Sequence, residues 1–202
     1  MKNLAILILS LILISCNKKY QSKELSYINS VKNHRTKNQE FMQKDMNSPF
    51  HKKGDIPFEE LKYFDIDTAY KMKAQLTLLP FPEPYTMKMS DGTTQPYVKI
   101  AWAGFSLHGV PQKVLLLKME KFMEENWLFL PFYDETSANS TYGGGRFLDV
   151  DYTGNTIVEI DFNFAYNPYC AYNPDYSCPI PPIENQITVK VEAGEKKYKE
   201  TH

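Results

Sequence analysis

Residues 98–119 of the 202-residue chain read VKIAWAGFSLHGVPQKVLLLKM. In the first half of this stretch apolar side chains fall on both faces of an extended chain, and the second half carries the unbroken apolar run 114–117. A strand that is apolar on both faces is typically buried on both sides, so we expect these segments near the centre of a sheet. His108-Gly109 between them marks a tight turn, which predicts antiparallel neighbours.

Further strands are indicated on either side of this centre. Residues 69–78 (AYKMKAQLTL) alternate apolar and polar side chains, as in a strand with one solvent-exposed face, until PFPEP at 80–84 breaks the pattern. Asp91-Gly92, between 87–90 and 96–107, marks a hairpin. Four more candidates follow: WLFLPF (127–132), RFLDVD (146–151), TIVEIDFNF (156–164) and QITVKVEA (186–193). About eight strands with short connections predict a mainly β fold, an antiparallel β-sandwich or partly closed barrel.

The N-terminal residues have the pattern of an export signal. Lys2 precedes an apolar run at 4–14, and Leu-Ile-Ser-Cys closes it at 13–16. As a helix this run would be about 16 Å long, roughly half of a bilayer core, so it is interpreted as a signal peptide rather than a membrane span. Its end resembles a bacterial lipobox, which predicts cleavage before Cys16 and acylation of that cysteine with palmitate-type chains. Ordinary secretion with an incidental Cys16 is the alternative.

Charge divides the remaining chain into two parts. Residues 17–53 carry nine Lys or Arg against three acids, a net charge of +6, whereas residues 54–202 carry thirteen against twenty-one, a net charge of −8. The basic part is either drawn to anionic headgroups beside the anchor or is a merely solvated tether. The acidic remainder argues against nucleic acid as a partner. We therefore expect a membrane-anchored lipoprotein of the bacterial cell envelope, facing the periplasm or at the surface, on either the inner or the outer membrane.

Three regions follow from these patterns. They are a signal peptide at 1–15, a lipidated basic tether with one helix at 16–53, and a single β domain at 54–202. The helix is expected over 22–46, where the sequence is polar and lacks Gly and Pro, and Ser48-Pro49 ends it.

The sequence lacks the familiar enzyme motifs. It contains no Gly-x-Ser-x-Gly elbow, no phosphate-binding loop and no dinucleotide fingerprint. None of its four histidines has a partner at the spacing of a metal site or a catalytic triad. No metal or cofactor is implied, and no catalytic residue is assigned.

Unusual residues concentrate at 129–151, FLPFYDETSANSTYGGGRFLDVD. Three consecutive glycines at 143–145 would let backbone amides approach an anionic ligand, with Arg146 as its clamp. The alternative is structural. If residues 152–155 form a tight turn, Arg146 lies across a hairpin from Asp161 as an ion partner, and the glycines form a bulge.

Two cysteines besides Cys16 lie in FAYNPYCAYNPDYSCPIPPIEN at 164–185, namely Cys170 and Cys178. Zinc there would need borrowed ligands, whereas an oxidising envelope favours a disulfide between them, and free thiols are the remaining state. Redox catalysis gains little support because the Cys-x-x-Cys spacing that lowers a thiol pKa is absent. The two Asn-Pro steps predict a stack of tight turns before an extended arm at 179–182.

Long motifs in this chain resemble an uncharacterised prokaryotic family known only as a domain of unknown function. They are FLPFYDETS, TYGGGRFLDVD, DFNFAYNPYCAYNPDYSCPIPPIEN and EAGEK, with YFDIDTAYKMKA upstream. The likeness begins at about Phe58 and is densest over 127–196. It implies that the glycine loop (134–146) and the Asn-Pro-Cys segment (164–185) form the family's signature. It supplies no activity. Family members often carry a basic residue where Phe164 stands, which weakens any anion pocket that needs two positive side chains.

Three functions are compatible with these residues. The leading hypothesis is a module that binds a small or anionic envelope ligand. The second is a hydrolase-type enzyme using the 134–146 loop, in which the acid, nucleophile and oxyanion roles would be shared among Asp134, Ser137, Tyr142 and Arg146. The third is a purely structural envelope protein. The predicted ligand contacts are Tyr142, Gly143, Gly144, Gly145 and Arg146 on one wall, and Asn163, Tyr166 and Tyr172 on the other.

Overall fold

The computed structural model describes the backbone of residues 2–199 and the side chains of residues 21–199. The predicted signal peptide and the lipidation of Cys16 fall outside the described side chains. Contacts divide the chain into two compact units, Met1–Asn38 and Gln39–His202. Helix α1 (Lys2–Lys44) confirms the single N-terminal helix. Among the described residues, no helix combines the length and hydropathy that crossing a bilayer requires.

The second unit is built on one antiparallel sheet of six strands. They are β1 (Lys71–Lys88), β2 (Thr94–Leu107), β3 (Val110–Met119), β4 (Trp127–Phe132), β5 (Arg146–Asp151) and β6 (Ile157–Asp161). Their order in the sheet is β5-β4-β3-β2-β1-β6, and the sheet curls until its two edge strands approach each other. The prediction of a mainly β fold with a partly closed barrel is confirmed.

The stretch 98–119 lies at the centre of this sheet. His108 and Gly109 join β2 to β3 with φ angles of 51° and 80°, the left-handed conformation that a two-residue hairpin turn requires. All four side chains of the run 114–117 are 0% exposed. Because side chains alternate along a strand, β3 supplies two hydrophobic clusters at once.

The two clusters lie on opposite faces of the curved sheet. The inner core gathers side chains from all six strands; the larger ones that the strands supply are Leu76, Phe105, Leu107, Val114, Leu116, Leu128, Leu130, Phe132, Leu148, Val150, Val158 and Ile160. The outer core consists of Met87, Met89, Tyr97, Leu115, Leu117, Phe129, Phe147 and Cys178. The Asn-Pro-Cys segment therefore packs on the outside of the barrel.

Residues 2–199 form six strands, where about eight were predicted. The first two predicted strands are one long strand, β1, whose pairing with β2 shifts register between Leu78 and Glu83. Pro80 and Pro82 of PFPEP fall in this shift, since proline has no N–H to donate to the ladder, and pairing resumes at Glu83. The predicted strand at 186–193 is irregular chain, in which the carbonyls of Val191 and Ala193 accept hydrogen bonds from Arg146.

The hairpin between β5 and β6, on which the alternative pairing of Arg146 with Asp161 depended, does not form. β6 pairs with β1, so that Asp161 lies opposite Lys71, while Arg146 lies opposite Phe132 on β4. The chain crosses from one edge of the sheet to the other at 152–156, which is what brings the edges together. After β6, Tyr166 bridges back to Phe147 through two backbone hydrogen bonds of 2.9 and 3.0 Å.

Asn185 joins β3 to β4 where their ladder is short. These strands share only the pair Leu117 and Phe129 in register. The fully buried Asn185 amide donates to the carbonyl oxygens of Leu115 and Pro131 at 2.9 and 2.8 Å and accepts from the Leu115 N–H at 2.6 Å. One side chain thus supplies the hydrogen bonds that the ladder lacks.

Candidate functional site

The loop between β4 and β5 folds around the buried Asp134. Its carboxylate accepts hydrogen bonds from the N–H groups of Thr136 (2.6 Å) and Val191 (3.2 Å) and pairs with Arg146 at 2.9 Å. The Ser137 hydroxyl accepts the N–H of Asp134 at 3.1 Å. Both carboxylate oxygens are engaged in holding the loop, so the geometry gives Asp134 no role as a base towards Ser137.

Arg146 points into the inner side of the barrel and is 1% exposed. Besides Asp134, its guanidinium donates to the carbonyl oxygens of Val191 (2.7 Å), Ala193 and Glu195 (3.1 Å). Burial lowers the pKa of Arg146, and the Asp134 carboxylate opposes that effect. These carbonyls belong to every second residue, as do the carbonyls that a β-strand presents to a neighbouring strand. Here they accept hydrogen bonds from the guanidinium instead. The predicted strand at 186–193 is thereby replaced, and Arg146 binds the protein's own backbone.

Glu195 forms a second buried polar cluster next to this one. Its carboxylate accepts from the N–H of Asn167 at 2.9 Å and from the hydroxyls of Tyr63 (3.2 Å) and Tyr172. Burial raises the pKa of Glu195, while the bond from Tyr172 acts in the opposite direction. Tyr172, predicted as a ligand contact, lies in this interior network.

The other residues of the predicted second wall also make structural contacts. Asn163 is 1% exposed and holds Asp67 through two hydrogen bonds. Its side-chain amide donates to the Asp67 carbonyl oxygen at 2.8 Å and accepts the Asp67 N–H at 3.0 Å. Tyr166 donates to Asp149 at 3.2 Å on the outer face. Burial raises the pKa of Tyr166, and the Asp149 charge adds to that rise. The three residues lie in separate environments rather than in one wall.

A cavity of about 240 Å³ opens where the glycine loop meets the Asn-Pro-Cys segment. Tyr142 and Gly144 line it from the loop, Cys170 and Cys178 from the segment, and Ser90 from the β1–β2 hairpin. None of the described residues that line it has a charged side chain. Of the eight predicted ligand contacts, this cavity brings together Tyr142 and Gly144.

Close packing explains two of the three glycines. A Cβ on Gly145, whose φ is +85°, would lie 2.7 Å from the Phe132 carbonyl oxygen, and one on Gly144 would lie 2.4 Å from the Tyr142 ring. The Gly145 N–H already donates to the Tyr142 carbonyl at 3.1 Å, within a turn. Gly143 meets only ordinary contacts.

Cys170 and Cys178 are free thiols, so the predicted disulfide is not present. The Cys178 sulfur instead accepts the N–H of Cys170 at 3.1 Å, and the Tyr142 hydroxyl donates to the Cys170 sulfur at 3.7 Å. The predicted stack of turns around them is confirmed: Asn173, for example, accepts the N–H of Asp175 at 3.0 Å. The turns hold the two sulfurs side by side although eight positions separate them.

The surroundings shift the pKa values of the two thiols in opposite directions. A hydrogen bond from the Cys178 thiol lowers the pKa of Cys170 to about 7 against the effect of burial, with smaller contributions from the hydroxyls of Tyr142 and Ser90. The same hydrogen bond, together with burial, raises the pKa of Cys178. Burial and the bond to Cys170 raise the pKa of Tyr142 as well. At neutral pH, Cys170 is therefore the thiol that ionises.

A family model described as a protein of unknown function (DUF1684) matches residues 57–196. The chain belongs to this family. The match confirms the resemblance drawn from the motifs, and the DUF1684 region contains every residue that lines the cavity.

A solved structure supports the same assignment. The solution NMR structure of an uncharacterized protein from Haloarcula marismortui has a TM-score of 0.66 and 30% sequence identity to this chain. The similarity covers 87% of this chain and 96% of that one. No curated protein matches the chain.

Sequence reasoning missed several residues that build this DUF1684 domain. Ser90 and Tyr133 line the cavity, although Ser90 stands in no motif and Tyr133, within the FLPFYDETS motif, was not named among the contacts. Glu195 stands in the EAGEK motif, whose length was a usable signal. Asn185 ends the Asn-Pro-Cys motif, but nothing local indicates that it joins two distant strands.

Proposed function

We propose that this protein is a lipoprotein of the bacterial cell envelope whose β domain binds a small uncharged molecule in the cavity beside Cys170. Ligand binding is supported by the two segments from which the residues lining the cavity come. Two signature segments, the glycine loop with Tyr142 and the Asn-Pro-Cys segment with Cys170, meet around an opening of about 240 Å³.

The size and the lining of the cavity define the ligand class. Pockets for drug-sized ligands measure roughly 300–1,000 Å³, so this ligand is smaller. The hydroxyls of Ser90 and Tyr142 offer polar contacts, and Ile180 adds apolar surface. A buried charge without a partner is costly, which favours a neutral molecule. The anionic ligand of the sequence hypothesis depended on Arg146, whose guanidinium is engaged by Asp134 and backbone carbonyls.

The envelope location rests on the sequence. The apolar run at 4–14 ends in Cys16, and the basic residues of 17–53 follow directly. Two or more acyl chains on Cys16 would hold the protein durably on a membrane, and the basic stretch would add attraction to anionic headgroups.

Two bulky substitutions test the cavity. Ile180 lines it and is 39% exposed, so Ile180→Trp is expected to close the opening without disturbing the core. Ile183→Trp is the matched control, since Ile183 is 81% exposed and lies outside the lining. Native mass spectrometry of protein extracted gently from its own membranes should show an added ligand mass in the wild type and in Ile183→Trp. The proposal fails if that mass is absent from both or persists in Ile180→Trp.

Metabolic labelling with an alkyne palmitate tests the anchor. The wild type and Cys170→Ser should be labelled and sediment with membranes, and Cys16→Ala should lose both properties. Density separation of the membranes then assigns the inner or the outer membrane. Label that survives Cys16→Ala, or an unlabelled wild type, would refute lipidation at this cysteine.

A further inference from the structure

The cavity presents two thiols whose surroundings differ. Cys170 is half-buried and receives the Tyr142 hydroxyl at 3.7 Å. Cys178 is 6% exposed, packs in the outer core and accepts the N–H of Cys170 at 3.1 Å. The Cys178 thiol and the hydroxyls of Tyr142 and Ser90 donate to the accessible Cys170 sulfur and lower its pKa, whereas the bond to Cys170 and burial raise the pKa of the Cys178 thiol. An attacking and a resolving thiol require this asymmetry.

We propose that Cys170 and Cys178 form a dithiol site that reduces small hydroperoxides, with Cys170 as the attacking thiol and Cys178 as the resolving thiol. The inference rests on the proposed ligand cavity and names its substrate class. It also gives both cysteines a use that the spacing alone did not suggest.

The chemistry balances in three steps. The Cys170 thiolate attacks the terminal oxygen of a hydroperoxide, the O–O bond breaks, and the departing oxygen takes a proton, which gives an alcohol or water and a sulfenic acid on Cys170. The Cys178 thiol then attacks that sulfur, releasing water and forming the disulfide. A dithiol reductant exchanges with the disulfide and returns both thiols.

The geometry fits a hydroperoxide better than a larger oxidant. A hydroperoxide is neutral and small, which suits an opening of about 240 Å³ whose lining carries no charge besides that of the Cys170 thiolate. The Tyr142 hydroxyl lies beside the Cys170 sulfur and is placed to donate to the departing oxygen. A peptide disulfide would bring a chain on each sulfur, for which this volume leaves no room. The 3.1 Å contact between Cys178 Sγ and the backbone nitrogen of residue 170 keeps the resolving thiol within reach of a side-chain rotation.

Reaction with hydrogen peroxide and tert-butyl hydroperoxide tests the proposal. The full chain carries Cys16→Ala so that only the two thiols of the cavity react. We expect a loss of two hydrogens in mass with one equivalent of oxidant, and in Cys178→Ser a sulfenic acid on Cys170 that dimedone traps. The rate should exceed that of the urea-unfolded chain by at least roughly a hundredfold near pH 7, because thiolate fraction alone accounts for roughly tenfold. A rate within tenfold, or trapping at Cys178 in Cys170→Ser, would overturn the proposal.

Tyr142→Phe separates proton donation from thiol acidity. At about pH 9, where Cys170 is ionised in either variant, the peroxide reaction should slow by roughly tenfold or more. Alkylation by iodoacetamide needs no proton for its leaving group, so its rate should stay unchanged. Tyr152→Phe, a tyrosine outside the cavity lining, is the control. Equal slowing of both reactions would refute the role of Tyr142.

The two proposals fail separately. If hydroperoxides leave the thiols untouched while native mass spectrometry still detects a ligand that Ile180→Trp removes, the dithiol site is wrong and the binding cavity stands. If the thiols react as expected but Ile180→Trp leaves the ligand mass and the reaction rate unchanged, the cavity is wrong as the place of binding.

Discussion

Replacing Arg146 by methionine removes the contact that organises one end of the barrel. The methionine retains most of the apolar stem and loses every donor of the guanidinium. The Asp134 carboxylate, whose side chain is 1% exposed, would then be buried beside no cation. The carbonyl oxygens of Val191, Ala193 and Glu195 would lose their donor as well.

The expected cost is large. Removing one partner of a buried ion pair costs about 3–5 kcal/mol, because the remaining charge stays in the interior. Each abandoned carbonyl adds roughly 1 kcal/mol unless water reaches it. We therefore expect Arg146→Met to lower the free energy of unfolding by about 6 to 8 kcal/mol, a large part of the 5–15 kcal/mol typical of a domain. With a urea slope of about 2 kcal/mol per molar, the unfolding midpoint should fall by about 3 to 4 M.

Urea unfolding followed by far-UV circular dichroism and tryptophan fluorescence measures this loss. Lys71→Met is the matched control, since it breaks a 2.9 Å ion pair with Glu159 whose side chains are 33% and 56% exposed. Such a pair is worth at most about 1 kcal/mol. If Arg146→Met moves the midpoint no further than Lys71→Met does, the guanidinium is not a structural clamp, and it would again be a candidate ligand contact.

Three further outcomes are expected. Gly145→Ala should lower the unfolding free energy by more than about 1 kcal/mol because its φ of +85° and its close neighbours leave no room for a Cβ, whereas Gly143→Ala should change it little; thermal unfolding compares the two. Asn185→Leu should lower the free energy of unfolding, measured with urea, by about 2 to 4 kcal/mol, because buried backbone groups of β3 and β4 would lose their hydrogen-bond partner. An effect below about 1 kcal/mol would contradict the bridging role. The iodoacetamide rate of Cys170 should rise with pH through a midpoint of about 7 as its thiolate forms, while that of Cys178 stays low, and equal profiles would refute the assigned asymmetry.

Much of the β architecture could be predicted because it is encoded locally. The turns at Asp91-Gly92 and His108-Gly109 need particular residues, and both hairpins are present. The unbroken run 114–117 could only be satisfied by a strand covered on both faces, and that is where it lies. The Asn-Pro steps restrict the backbone themselves, so the turns around Cys170 were also predictable.

The expectations for the β5–β6 pairing and for a strand at 186–193 failed for the same reason. In both cases a segment pairs with a group that is distant in sequence. Local pairing favoured a hairpin between β5 and β6, but the open edge of β1 pairs with β6 and closes the barrel. An alternating segment at 186–193 has strand character, yet Arg146 takes its carbonyls before a neighbouring strand does. Neither outcome is visible in the residues next to it in sequence.

Part of the candidate site could be predicted from local motifs, and the rest depends on contacts between residues distant in sequence. The motifs identified the two segments that line the cavity, and Tyr142 was named among the contacts. Arg146 has the chemistry of an anion clamp in sequence, but only the fold shows that it is 1% exposed. Ser90 reaches the cavity from a hairpin that lies 80 positions before Cys170, a distance over which no local pattern acts.

By itself the sequence determined the family, the mainly β character, the central strand pair and the turns, because periodicity, glycine and proline act on neighbouring residues. The tertiary structure decided which strands close the barrel, which polar groups are buried, and that the Cys170 and Cys178 sulfurs lie together in a small uncharged cavity. The physical reason is that pairing, burial and the ionisation of a thiol depend on groups that meet only after folding. Burial alone would raise the pKa of the Cys170 thiol, and the hydrogen bonds from Cys178 and Tyr142, which form only in the folded chain, lower it.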